Sequence, residues 1–285
     1  MAGHILRDSF KPVDYKEGER SNLVLSEFHH IVDAAFFIYF SMIFYFSGTG
    51  NSKWIANQLS KEQKEELVFI PDALKNEALE FSLQAGEKIG FVFPIYSWAP
   101  PEIVLNFIRQ LSLKGYKRQY LFFVCSCGDD TGLTQQVLEK ALSHKGWKCH
   151  AGFSVTMPNN YVLLPGFDVD KKELEEKKLA DAIPTLNQIN ASISRREELF
   201  LCHEGSIPFI KTRIINPLFN RFQMSPGNFY TTDACIGCKR CEKSCPVIAP
   251  LAWRVITFAL SKRCNMGKER KIKGSISILI NLLAN

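Results

Sequence analysis

Short apolar segments alternate with amphipathic ones along the middle of the chain, and this alternation constrains the fold more than any other feature. The apolar segments are strand-like and lie at residues 42–46, 67–70, 88–93, 119–125 and 150–156. Helical patterns separate them at residues 51–60, 101–112 and 131–145. Because strands that are apolar on both faces need helices on both sides, the pattern predicts an α/β fold with a five-stranded, doubly wound parallel sheet. Ligands of such folds bind at the carboxyl ends of the strands.

The chain beyond the predicted sheet is less regular. The residues from Asp170 to Glu173 have the spacing of a capping box, which predicts the start of a long charged helix toward Leu199. We expect Pro184 to kink or divide that helix, because proline lacks the N–H that the helix interior needs. Residues 203–230 mix proline, glycine, asparagine and aromatic residues, which indicates an extended linker.

A turn rich in glycine and hydroxyl groups follows the first predicted strand and precedes a helix. It consists of Ser47, Gly48, Thr49, Gly50, Asn51 and Ser52. Glycines let the backbone curl so that several N–H groups face inward, and the start of a helix favours an anion. The turn fits neither the P-loop nor the G-x-G-x-x-G pattern, and its neutral donors suit a terminal monophosphate. The alternative is an ordinary turn between a strand and a helix.

Two further loops follow strands and are expected at the same edge of the sheet. The first contains Pro94, Tyr96, Ser97 and Trp98, whose aromatic rings could stack on a planar group. The second contains Cys127, Gly128 and Asp129, where glycine permits close approach of the backbone to a heterocycle. Either aromatic residue taken alone would more often belong to the core.

Four cysteines form a compact run near the C-terminus, and a proline closes it. They are Cys235, Cys238, Cys241 and Cys245. This spacing is typical of ferredoxin-type iron–sulfur sites, in which the fourth cysteine serves a second cluster. A zinc knuckle or a disulfide cluster is the alternative, although zinc sites usually have a longer gap between cysteine pairs. Downstream of the run there is only Cys264.

Composition excludes some classes of protein. The chain is 46% hydrophobic and 22% charged, as expected of a globular protein. Its net charge of +6 comes from residues 201–285, which carry 13 Lys and Arg against four Asp and Glu. The basic residues are densest from Lys262 to Lys273, where no aromatic residue lies among them, so we expect no nucleic-acid partner. The longest apolar stretch, residues 34–46, is too short to span a bilayer and lacks the features of a signal peptide, so we expect a cytoplasmic protein.

The three loops together resemble those of flavodoxin. From Met42 to about Cys245 the chain is similar to flavodoxin-like proteins fused to a ferredoxin-type domain. The segments 157–161, 165–168 and 216–220 add to this likeness. The resemblance implies FMN at the loops listed above, iron ligation by the cysteine run and two [4Fe–4S] clusters. Cys235, Cys238 and Cys241 would ligate iron, and Cys245 would either replace the missing fourth ligand or stand free. Because no second cysteine run follows Pro246, we expect one cluster at most.

The resemblance also suggests how the chain is divided. We expect an N-terminal extension, disordered or non-native, at 1–41, an FMN domain at 42–200, and a linker at 201–227. A 4Fe-4S segment at 228–250 and a divergent basic tail at 251–285 complete the chain.

The function predicted from these features is electron transfer between FMN and an iron–sulfur cluster, with a redox partner that the sequence does not identify. One alternative is a flavodoxin-like FMN carrier whose cluster segment is non-functional. Another is an FMN-dependent reductase of a small substrate. No residue is predicted to be catalytic, since His144, His150 and His203 are expected to be structural or exposed.

Overall fold

The computed structural model describes residues 41–161 and 168–222. Along the chain the elements are β1 (Met42–Tyr45), α1 (Asn51–Gln63), β2 (Glu66–Phe69), α2 (Ile70–Lys75), β3 (Glu80–Ser82), β4 (Lys88–Pro94), α3 (Glu102–Gln110) and β5 (Ser112–Lys114). They continue with β6 (Tyr120–Cys127), α4 (Thr134–Ser143), β7 (Ala151–Thr156), α5 (Lys172–Ser194), β8 (Phe200–Leu201), α6 (Pro208–Ile210), a π-helical turn (Lys211–Ile215) and α7 (Asn216–Phe222).

The main sheet has six parallel strands in the order β2-β1-β4-β6-β7-β8. β3 and β5 pair separately as a small parallel sheet. The chain winds outward from β1 to β2 and then returns to the other side of β1, so the switch point of the fold lies between β1 and β4. The loops that follow these two strands and β6 therefore meet at one edge of the sheet.

Successive strand residues supply two separate apolar layers. Phe44, Phe91 and Phe123 pack with α2, α3 and α4 on one face of the sheet. Their neighbours Ile43 and Val92 pack with α1 and α5 on the other face, and all five side chains are fully buried. This alternation follows from the two-residue period of a strand, and it explains why the central strands are apolar throughout.

The predicted α/β class and parallel sheet are confirmed, but the predicted number of strands was wrong. All five predicted strands are present, and the sixth is the two-residue strand β8, which pairs with Gly152 and Phe153 of β7. A segment so short carries no periodicity that a sequence could reveal. Its pairing depends on the return of the chain from α5.

The predicted long helix is α5, but the predicted cap at its start was wrong. Lys171, not Asp170, is the N-cap of the helix, and no side chain caps it, because the Asp170 carboxylate pairs with Lys178 instead. Pro184 does not divide the helix, which runs unbroken from Lys172 to Ser194. Pro184 is exposed, so water can hydrate the carbonyl that lacks its usual donor.

Candidate functional site

The turn after β1 is shaped like an anion site. Gly50 precedes α1 with φ +115°, a conformation that L side chains rarely adopt, and a Cβ placed there would meet no atom within 4 Å. No side chain caps α1, and among the described residues the amide groups of Asn51 and Ser52 have no acceptor. Uncapped N–H groups beside open space are what a bound phosphate requires.

Polar contacts hold this turn in shape. The Gly50 amide donates to Ser47 Oγ at 3.1 Å, and the hydroxyls of Ser52 and Ser126 lie 2.7 Å apart in a buried contact that ties α1 to the end of β6. The Asn51 side chain donates to the Pro158 carbonyl at 3.1 Å. Of the predicted phosphate residues, Ser47 and Ser52 are thus buried and already paired, whereas Thr49 and Gly50 are exposed.

The loop after β4 is strained. Ser97 and Trp98 both adopt the left-handed region, with φ 48° and 61°, which costs on the order of 1–2 kcal/mol for each residue that is not glycine. The Ser97 hydroxyl is buried and has no hydrogen-bond partner among the described residues. Backbone strain and an unpaired buried hydroxyl in one loop are features that cluster at ligand sites.

The two aromatic residues of this loop differ in their surroundings. Tyr96 packs edge-to-face against Phe46 with ring centroids 6.1 Å apart, and burial raises the pKa of its hydroxyl. Trp98 is half-buried, and the Lys211 ammonium lies 5.3 Å from the centre of its indole ring. Pro94 is the last residue of β4, so it fixes where the loop leaves the sheet.

The loop after β6 is the third member of the site. Cys127 ends the strand and is buried, and burial together with the nearby carboxylates of Asp130 and Asp129 raises the pKa of its thiol to about 12. Gly128 packs closely against the Asn159 side chain, since a Cβ there would lie 1.7 Å from Asn159 Oδ1. Asp129 is exposed.

The segment that follows β7 connects the first and third loops. The Asn160 side-chain amide donates to the Thr49 hydroxyl, and Asn159 Nδ2 donates to Asp129 Oδ2 at 3.3 Å. The Met157 amide donates to the Cys127 carbonyl at 2.8 Å. The sequence placed residues 157–161 within the resemblance without giving them a role, and the structure brings them to the site.

A buried lysine from α5 contacts the loop after β6. Lys178 Nζ is 2.8 Å from Asp170 Oδ2 and donates to the Gly128 carbonyl at 2.9 Å. Burial raises the pKa of Asp170, but hydrogen bonds from Lys178 and Asn159 outweigh it, so the pKa lies below its usual value. Sequence reasoning missed this lysine because it sits in a helix with many exposed charges.

A cavity of about 320 Å³ lies nearby, between α5 and β7. Ser154, Thr156, Lys178 and Thr185 contribute to its lining, and none of the predicted loop residues does. The three loops therefore form an open edge of the sheet that is separate from this cavity.

The predicted metal ligands fall outside the described residues. Cys235, Cys238, Cys241 and Cys245 all lie beyond Phe222. Within residues 41–161 and 168–222, no three His, Cys, Asp or Glu side chains are arranged to hold a metal ion. In the same ranges no helix has the length and apolar character needed to cross a membrane.

The sheet order and the three loops at its carboxyl edge define a flavodoxin-like domain, and comparison with known families agrees. Residues 42–159 match a family described as a flavodoxin domain. The chain therefore contains a flavodoxin-like domain, and the matched range runs from β1 to just beyond β7. No curated protein matches the chain.

Several solved structures are similar to the chain. The Trp repressor binding protein from Bacillus subtilis is 17% identical, with 51% of this chain and 96% of that chain covered and a TM-score of 0.32. An FMN-dependent NADH-azoreductase from Bacillus anthracis, in complex with FMN, is 9% identical over 53% and 98%, with a TM-score of 0.35. An azoreductase from Bacillus anthracis is 9% identical over 55% and 99%, with a TM-score of 0.32. These values are too low to support an inference about activity.

Proposed function

We propose that this protein is an FMN-dependent oxidoreductase of the electron-transfer type. The observation that carries the proposal is the uncapped start of α1, which lies at the switch point of a flavodoxin-like sheet beside the loops after β4 and β6. A terminal phosphate and a planar ring are the two parts of FMN that such an edge suits.

The phosphate would be held by the turn from Ser47 to Ser52. The amides of Asn51 and Ser52 are free to donate, and the Gly50 conformation leaves open space in front of them. Lys53 is exposed, and no lysine lies inside the turn, so its donors are neutral. Such a site suits a single phosphate rather than the polyphosphate of a nucleoside triphosphate.

The ring would be held by Pro94, Tyr96, Ser97 and Trp98 on one side and by Cys127, Gly128 and Asp129 on the other. The unpaired Ser97 hydroxyl is a donor without an acceptor, which supports a polar ligand at this loop. The raised pKa of Cys127 keeps its thiol neutral, so no thiolate opposes a reduced ring. When bound, FMN supplies transfer of one or two electrons, and the protein orients it and excludes water.

The cysteine run supports a second cofactor by its spacing alone. Cys235, Cys238, Cys241 and Cys245 would hold one iron–sulfur cluster, which exchanges single electrons. The five cysteines outside the run show no spacing typical of a disulfide framework, which supports a reducing, cytoplasmic location.

The flavin part of the proposal is tested by comparing FMN with riboflavin, which lacks the phosphate. We expect the apoprotein to bind FMN more tightly, as measured by quenching of flavin fluorescence. Thr49→Glu places a negative charge at the exposed edge of the phosphate turn. It should weaken FMN binding at least ten-fold and leave the affinity for riboflavin unchanged. Thr49→Gln has nearly the same size and no charge, and it is the matched control. Equal affinity for FMN and riboflavin would contradict the proposed phosphate site.

The cluster is tested by iron and sulfide analysis after anaerobic purification. We expect about four iron and four sulfide per chain, and loss of both when Cys238 and Cys241 are replaced by serine. Flavin without iron would instead identify an FMN carrier with a non-functional cluster segment. Turnover of small electron acceptors by the reduced protein would support the reductase alternative.

A further inference from the structure

The range predicted as a linker, 201–227, contains an ordered helical segment as far as it is described. Strand β8 is followed by α6, the π-helical turn and α7, which run without interruption from Pro208 to Phe222. We call the loops after β4 and β6 the ring loops, since they are the ones proposed to hold the flavin ring. We call Lys211–Asn216 the clasp, because three of its side chains contact the two ring loops.

Thr212 joins the two ring loops through one hydroxyl group. Thr212 Oγ1 donates to the Trp98 carbonyl at 2.8 Å and accepts from the Leu133 amide at 2.8 Å. Trp98 belongs to the loop after β4, and Leu133 ends the loop after β6. Thr212 is buried, so water does not compete for either hydrogen bond.

Asn216 donates hydrogen bonds to the two preceding carbonyls of the loop after β4. Its Nδ2 donates to the Tyr96 carbonyl at 3.1 Å and to the Ser97 carbonyl at 2.9 Å. Three consecutive carbonyl oxygens, those of residues 96–98, thus accept hydrogen bonds from the clasp. Two of these residues are in the strained left-handed conformation, which persists only where the surroundings fix it.

Lys211 adds an electrostatic contact to each ring loop. Its Nζ pairs with Asp130 Oδ2 at 2.5 Å, and the same ammonium lies over the Trp98 ring. These contacts come from one π-helical turn, in which the backbone N–H of Asn216 donates a hydrogen bond to the Lys211 carbonyl five residues earlier. This wider turn places residues 211, 212 and 216 on the same side.

The fully buried contacts of the segment are polar and go to the loops. Four of its large apolar side chains are exposed (Phe209, Ile210, Ile214 and Phe222), and three are half-buried (Ile215, Leu218 and Phe219). Thr212 is the one residue of Pro208–Phe222 that is buried in the described structure. A segment that served only to cover the core would show the reverse pattern.

We propose that the clasp is a positioning element for the flavin ring, with Thr212 and Asn216 as its positioning residues. This inference rests on the proposed FMN function. By fixing the carbonyls of residues 96–98, the clasp holds Ser97 and Trp98 in the conformation that meets the ring. It acts through these loops and is not itself catalytic.

The test uses variants of the full chain. Asn216→Asp keeps the shape of the side chain but replaces two donors with acceptors that face carbonyl oxygens. Thr212→Val removes the bridging hydroxyl, and Thr212→Ser restores it. Arg213→Ala is the matched control, because Arg213 lies in the same helical turn, is exposed and its side chain has no hydrogen bond or ion pair among the described residues.

We expect Asn216→Asp and Thr212→Val to weaken FMN binding about ten-fold, as the loss of one or two buried hydrogen bonds predicts. The visible circular dichroism of bound flavin should change in both variants, and Thr212→Ser should restore affinity and spectrum. In the apoprotein, hydrogen exchange of the Leu133 amide should be faster in Thr212→Val and unchanged in Arg213→Ala.

The outcomes separate the two proposals. If the wild-type protein binds no FMN, the proposed function fails. If it binds FMN and both clasp variants bind it with the same affinity and spectrum, the clasp proposal alone is overturned.

Discussion

The contact between the ring loops and the helical segment makes Gly132 the position where an added methyl group has the most predictable effect. Gly132 has φ +55°, and a Cβ there would lie 2.4 Å from Thr212 Oγ1, 2.7 Å from Trp98 Cβ and 2.9 Å from the Trp98 carbonyl. The left-handed conformation alone costs alanine about 1 kcal/mol, and relief of the clash adds about 1–3 kcal/mol, because one of the neighbours is backbone. We therefore expect Gly132→Ala to lower the free energy of unfolding by about 2–4 kcal/mol.

Gly146→Ala is a matched control for this prediction. Gly146 has φ +74°, so alanine meets a similar conformational cost, but no atom lies within 4 Å of the added methyl group. Urea unfolding of the apoprotein gives both free energies, provided that the slope with urea is unchanged. The difference between the two variants isolates the packing of Gly132 against Thr212 and Trp98. If Gly132→Ala costs no more than Gly146→Ala, the close packing described above is wrong.

Three other measurements address the charged and thiol groups. Burial raises the pKa of Glu65 from 4.5 to about 7, despite the attraction of Lys88. Between these pH values the folded state keeps a proton that the unfolded state has lost, so the stability of the protein falls as pH rises. Glu65→Gln should remove this loss of roughly 2–3 kcal/mol when urea unfolding at pH 5 and pH 8 is compared, and an equal decline in both proteins would contradict the assignment. Lys178→Met breaks a buried ion pair and should lower the free energy of unfolding by about 3 kcal/mol. Lys177→Met breaks an exposed pair and should lower it by less than about 0.5 kcal/mol. Similar losses in the two variants would show that burial of the Lys178 pair does not matter. Because burial raises the pKa of Cys127 to about 12, iodoacetamide at pH 8 should not modify this thiol in the native protein, and rapid labelling found by peptide mass analysis would show that the loop opens.

The sequence was informative wherever the structure is local and periodic. Five strands and their intervening helices could be predicted because a buried parallel strand needs apolar residues on both faces, as Phe44 and Ile43 illustrate. The turn from Ser47 to Ser52 could be predicted because its glycine and hydroxyl residues separate a strand pattern from a helix pattern, whereas its role as a phosphate site stays a prediction. The cysteine run stays a prediction, since it lies outside the described residues.

The long-range contacts could not be predicted. Lys178 looks like one more charge on a polar helix, and only the tertiary structure places its ammonium against Asp170 and the Gly128 carbonyl. Asp170 itself has the spacing of a helix cap, but a buried ion pair replaces the capping contact because a lysine charge without a partner would be costly inside the protein.

By itself, the sequence determined the α/β class, the order of the strands along the chain and the three loops at one edge of the sheet. The tertiary structure decided what holds those loops in place. Residues 208–222 have an irregular composition and read as a linker, yet Thr212 and Asn216 bond to carbonyls and an amide 79 to 120 residues earlier. Side-chain hydrogen bonds over such separations leave no periodic pattern in a sequence, because they depend on where the folded sheet brings the backbone.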